Sequence, residues 1–137
     1  MPRDYVNPPA LFPSVPHGFS QAVVAAGSRT VHVSGQTAWD AGRRILGGHD
    51  LAAQSRHALE NLRTAMRACG GDLANVVSLR IYVVGLDPSD PSKTAAVGDA
   101  LREFFPENAR PASTWIGVAA LARPEFLVEI EATGVLD

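Results

Sequence analysis

The feature that most constrains this chain is the run Phe126–Thr133 near its C-terminus. Val128, Ile130 and Ala132 alternate with Leu127, Glu129 and Glu131. A period of two fits an extended strand with one face inward, and no helix can use it. The strand must therefore lie in a sheet with one covered face. The other face carries two carboxylates, which need water, a partner or a ligand. A second strand-like run, Ser113–Val118, precedes it, and a short loop around Ala122, Arg123 and Pro124 joins the two.

A third strand is expected over Asn75–Val84. Val77, Leu79, Ile81 and Val83 form an apolar face there, and Val76, Ser78, Arg80, Tyr82 and Val84 a mixed one. Upstream, Gln21–Ala26 and Thr30–Val33 flank Gly27-Ser28, which reads as a β-hairpin. The turn signal Asp40–Arg43 leads to a possible short strand at Ile45 and Leu46. Two helices fall between the strands. The first spans Asp50 to Cys69, with Leu51, Ala58, Leu62, Ala65 and Cys69 on one stripe, Asp50 as cap and Gly70-Gly71 as stop. On that stripe Cys69 reads as a packed, inert thiol. The second starts at Pro91 behind the cap Asp90, buries Val97, Leu101 and Phe104, and ends before Pro106.

The pattern predicts an α+β domain with two α-helices on one face of a mixed sheet. Arg80, Tyr82, Ser113, Trp115, Glu129 and Glu131 are expected on the other face. That face is too apolar for water and too polar for a dry core, which points to self-association. The 137 residues read as a single domain, with residues 1–17 an extended Pro-rich segment that Leu11 and Phe12 can pin to the body. A hydrophobic content of 46% against 19% charged residues excludes a disordered chain. The net charge of −2 gives no basic footprint, so nucleic acid is not expected as a partner. No apolar run reaches membrane-spanning length and no secretory signal core is present, so no membrane partner is expected and the location reads as cytoplasmic. A lone cysteine and four scattered histidines (His17, His32, His49, His57) offer no ligand spacing, so no metal is expected.

Four segments, taken in order and spacing, carry a family resemblance: GFSQAV at Gly18–Val23, VSGQ at Val33–Gln36, ALENLR at Ala58–Arg63 and VEIEA at Val128–Ala132. Together they resemble the RidA/YjgF family of reactive-intermediate deaminases over about residues 18–136. The resemblance implies a chorismate-mutase-like fold, a homotrimer and small-molecule clefts between subunits. It also implies hydrolysis of an imine or enamine metabolite without metal or organic cofactor.

In the best-studied branch an arginine after the Pro-Ala of the penultimate strand holds the substrate carboxylate. Ser113 falls at that position here. A hydroxyl lacks the bidentate fork and fixed charge of a guanidinium. Phe19 stands where the family often has tyrosine, and Glu129 matches the acidic residue near the reactive water. Ser113 therefore implies either a C=N hydrolase with an altered carboxylate seat or a non-catalytic trimeric metabolite-binding protein. Arg80 and Arg110 are the candidate replacements for the arginine. Arg80 has an ion pair with Glu129 or Glu131 as its alternative role, and Arg110 has turn bracing. Ser34 and Gly35 offer amide donors to a developing anion or form a strand-ending bulge. Trp115 shares the parity of Ser113 and floors the pocket or packs in an interface.

Overall fold

The computed structural model describes residues 3–137, so Met1 and Pro2 of the Pro-rich segment lie outside the described residues. The strands are β1 (Arg3–Val6), β2 (Ala22–Ala25), β3 (Arg29–Gln36), β4 (Val76–Val84), β5 (Ala112–Val118) and β6 (Val128–Leu136). The helices are α1 (Leu51–Ala68) and α2 (Pro91–Phe104). A four-stranded mixed sheet runs in the order β3-β6-β4-β5, with β4 and β5 parallel and the other pairs antiparallel. Both helices pack on one face of it, as the periodicities predict.

The alternation in β6 is complete. Val128, Ile130, Ala132, Gly134 and Leu136 are buried, and the residues between them are half-exposed. Under this face lie Ala58, Leu59, Leu62 and Met66 of α1, Val97, Ala100 and Leu101 of α2, and Leu79, Ile81 and Val83 of β4. The Asp50 carboxylate caps α1 by accepting from the amides of Ala52 and Ala53, at 3.0 and 3.2 Å. Asp90 caps α2 through the amide of Ser92 at 3.0 Å, with Pro91 next in line. Gln54 is fully buried in α1. Its amide donates to the carbonyls of Gly48 and Glu125 and accepts from the amide of Leu127, tying two loops to the helix.

Several expectations are corrected. The Gly27-Ser28 hairpin does not form. β2 pairs with β1, and β3 pairs with β6. The Ser28 amide donates to the Leu136 carbonyl, and a Cβ on Gly27 would come within 2.2 Å of that same oxygen. The turn is thus docked on the end of β6, which draws the following residues into the larger sheet. The strand expected at Ile45 and Leu46 is a single bridge between Trp39 and Ile45.

Cys69 is exposed. The inward stripe of α1 runs through Ala58, Leu59, Leu62 and Met66, one residue away from the expected line at Met66. The helix ends there in a left-handed Gly70, with the Gly71 amide donating back to Met66, so helical periodicity no longer applies at Cys69. Val76 is buried and Val77 half-exposed, because a bulge between Val76 and Ser78 reverses the parity at the start of β4.

The largest correction concerns β5. Its parallel register sets Ser113 beside Leu79 and Trp115 beside Ile81. Leu79 and Ile81 face the helices, so Ser113 and Trp115 do too. They lie on the opposite side of the sheet from Arg80, Tyr82, Glu129 and Glu131.

Candidate functional site

The open face of the sheet carries two carboxylates with different surroundings. Glu131 Oε1 accepts from Arg80 Nε at 2.7 Å and from the Tyr82 hydroxyl at 2.6 Å. Cross-strand register produces this cluster, since Arg80 sits opposite Glu131 and Tyr82 opposite Glu129. The Tyr82 and Arg80 hydrogen bonds hold the Glu131 carboxyl below its ordinary value, and the same Glu131 bond raises the Tyr82 hydroxyl. Arg80 is thereby committed to its neighbour.

Glu129 has no hydrogen bond or ion pair among the described residues. Its carboxylate lies over Gly35, where an added Cβ would meet Oε2 at 2.2 Å. A register slip between Val33 and Gln36 marks the bulge that contains Ser34 and Gly35. Ser34 is exposed, and its carbonyl accepts from Gln36 Nε2 at 3.0 Å. The fold thus brings Ser34, Gly35 and Glu129 into one corner.

The helix side holds a cavity of about 560 Å3 between β5, α2 and the N-terminal segment. Phe12, His17, Phe19, Pro91, Thr94, Ala95, Gly98, Arg102, Ser113 and Trp115 line it. Phe19 is placed beside Ser113 by backbone geometry. Ser20 bridges to Ala112 in parallel, and its amide donates to the Pro111 carbonyl at 3.0 Å. Phe19 and Ser113 also line a smaller hollow of about 290 Å3 that includes Arg80. The Ser113 hydroxyl oxygen is buried and has no hydrogen-bond partner. No base is hydrogen-bonded to it, so nothing in its surroundings activates it as a nucleophile.

Arg110 lines neither hollow. It is 8% exposed, and its guanidinium donates to the carbonyls of Phe105 and Val15. Those bonds tie the end of α2 to the N-terminal segment that walls the cavity. Sequence reasoning missed Arg102 and Gly98, and gave Phe12 only as an anchor of the N-terminal segment, not as cavity wall. The signal for the first two was a glycine inside α2, where it weakens a helix unless space is needed. Here a Cβ at Gly98 would meet Arg102 Nη1 at 3.3 Å and Nη2 at 3.4 Å. Among the described residues there is no cluster of three or more His, Cys, Asp or Glu that could hold a metal ion, and no helix long and apolar enough to cross a membrane.

The model of the endoribonuclease L-PSP family matches residues 11–136. A protein of unknown function of the conserved Rid family from Yersinia pestis is 44% identical, over 99% of this chain and 100% of that one, with a TM-score of 0.92. A member of the YjgF/YER057c/UK114 family from Mycobacterium tuberculosis is 34% identical over 98% of this chain and 100% of its own, with a TM-score of 0.64. RidA from an Antarctic Psychrobacter is 29% identical over 86% and 88%, with a TM-score of 0.67.

Proposed function

The chain belongs to the endoribonuclease L-PSP family, the group of the Rid and YjgF proteins, and from that premise we propose that it is a cytoplasmic small-molecule hydrolase. Its substrate is a metabolite with an imine C=N bond, or an enamine that tautomerises to one, bound in clefts completed between the subunits of a homotrimer. The observation that carries this reading is the unpaired Glu129 carboxylate over Gly35, two residues from a Glu131 that is already taken by Arg80 and Tyr82.

An unpaired, half-buried carboxylate can orient a water and accept its proton. The water oxygen then adds to the carbon of a protonated imine, giving a tetrahedral carbinolamine. The proton passes from Glu129 to nitrogen, the C–N bond breaks as the carboxylate takes up the hydroxyl proton, and a carbonyl and ammonia leave. The amides of the Ser34-Gly35 bulge lie beside that carboxylate and can donate hydrogen bonds to a substrate anion. RNA cleavage fits poorly with the net charge of −2, since phosphate backbones are held by excess positive charge.

The test is ammonia release from freshly generated amino-acid imines above a protein-free control. Glu129→Gln should lower the rate on the order of 10²-fold and leave the thermal midpoint near that of the parent. Equal rates for variant and parent would remove Glu129 from the reaction, and no release from any imine would remove the deaminase reading. A non-catalytic metabolite-binding trimer is the second reading. It is favoured by the placement of the large cavity on the opposite sheet face from Glu129, and it is met by ligand binding without turnover.

A further inference from the structure

We propose that the helix-side cavity binds a small carboxylic acid with an aromatic or bulky apolar body, and that Arg102 holds its carboxylate. The inference deepens the function proposed above by naming a ligand class, and it rests on that reading only in taking the ligand to be a metabolite.

Size is the first argument. A cavity of about 560 Å3 is far larger than a three- or four-carbon acid fills, and an apolar tail is the remedy for unfilled apolar wall. Wall chemistry is the second. Phe12, Phe19 and Trp115 supply aromatic surface, with Pro91 and Ala95 between them. Trp115 also packs against the core, which fixes its ring. Such walls favour a flat or bulky apolar group.

Charge is the third. Among the described residues lining this cavity, Arg102 is the one guanidinium. It reaches the wall because Gly98 has no side chain. A glycine in the middle of a 14-residue helix is unfavourable for the helix, and the space it leaves lies under the guanidinium. Asp99 is a competitor for this charge. It bonds only Nη2, from a position one turn back and largely exposed, and Nε and Nη1 have no hydrogen bond among the described residues. Those two nitrogens remain for a ligand carboxylate.

The other two candidate guanidiniums are committed elsewhere, Arg80 to Glu131 and Arg110 to two backbone carbonyls. The fourth argument is the Ser113 hydroxyl. It is buried without a partner in the wall of the same cavity, and a polar ligand group supplies the missing bond.

The test is isothermal titration of the full chain with phenylpyruvate, pyruvate and the neutral ketone phenylacetone. The parent should bind phenylpyruvate at least tenfold more tightly than either of the others. Arg102→Ala should lose at least tenfold in phenylpyruvate affinity, and Arg102→Lys should recover part of it. Gly98→Ala keeps the charge but crowds the guanidinium, so it too should weaken binding, and its thermal midpoint reports directly that the fold is intact. Unchanged phenylpyruvate affinity in Arg102→Ala, or phenylacetone or pyruvate matching phenylpyruvate in the parent, overturns the proposal. Ammonia release from freshly generated amino-acid imines is measured on the same protein preparations. Binding without ammonia removes the hydrolase and leaves Arg102 in its role. Ammonia without phenylpyruvate binding does the reverse.

Discussion

The two sides of the sheet treat polar groups in opposite ways. On the open face Arg80, Tyr82 and Glu131 satisfy one another, and among the described residues Glu129 is the carboxylate left over. On the helix side the walls are mainly apolar, and two of their polar groups, Ser113 and Arg102, keep hydrogen-bonding capacity in reserve. The Arg80–Glu131 pair is partly exposed, so it contributes at most about 1 kcal/mol and serves mainly to fix side-chain positions. An unpartnered hydroxyl inside a closed wall costs about 1–3 kcal/mol, which a fold has reason to tolerate only where something else completes it. The paired groups are thus structural, and the unpaired ones are where a ligand or a reaction can act. In one protomer Glu129 lies on the open face, while Ser113 and Arg102 line the cavity on the helix side.

The strongest way to break this contrast is through Arg110. It holds the N-terminal segment against the end of α2 by two carbonyl bonds in a buried setting. Arg110→Ala strands both carbonyls and should destabilise the protein by about 3 kcal/mol, read as a lowered denaturation midpoint. Phenylpyruvate binding should fall with it, because Phe12 and His17 lose their anchor. Glu129-dependent ammonia release, measured well below the midpoint, should change less. A variant as stable as the parent would show that Arg110 does not brace this wall.

Gly35→Ala acts on the other side. The added Cβ falls within 2.2 Å of Glu129 Oε2, and the carboxylate is the part able to move. Displacing a water-positioning group by about 1 Å should cost roughly tenfold or more in ammonia release, with phenylpyruvate binding unchanged. Retained activity would mean that the Glu129 position over Gly35 is incidental.

Much of this arrangement was legible in the sequence, for stated reasons. β6 has a strict period, so its two faces could be assigned, and Asp50, Asp90 and Pro91 mark helix starts by local chemistry. The faces of β5 were not legible. Ser113, Thr114, Trp115, Ile116 and Gly117 carry no binary pattern, and their orientation is fixed by parallel pairing with β4, a nonlocal fact. The same is true of β2, whose partner is the N-terminal β1 and not its sequence neighbour. Glu129 and Glu131 looked alike because only cross-strand register decides which one Arg80 reaches. Arg102 was hidden for a different reason. Its importance depends on Gly98 one turn earlier, and a helical glycine is ambiguous until the space above it is known.

The smallest expected effect is a pH dependence of the paired Glu131 cluster. Glu131 has its folded-state value depressed below the ordinary 4.5 by the Tyr82 and Arg80 hydrogen bonds. A depressed carboxylate contributes stability that is present above its unfolded value and lost as pH falls through the folded one. Tyr82 is raised above 10.0, chiefly by its bond to Glu131, so its share is present below that value and fades as pH rises through the folded one. Tyr82→Phe should therefore be slightly less stable than the parent from about pH 5 to pH 9. The two should converge in acid, once Glu131 is protonated, and again in strong alkali. Thermal midpoints across that range make the comparison. Midpoints of Tyr82→Phe that track the parent at every pH would show that the Tyr82–Glu131 bond contributes nothing to stability.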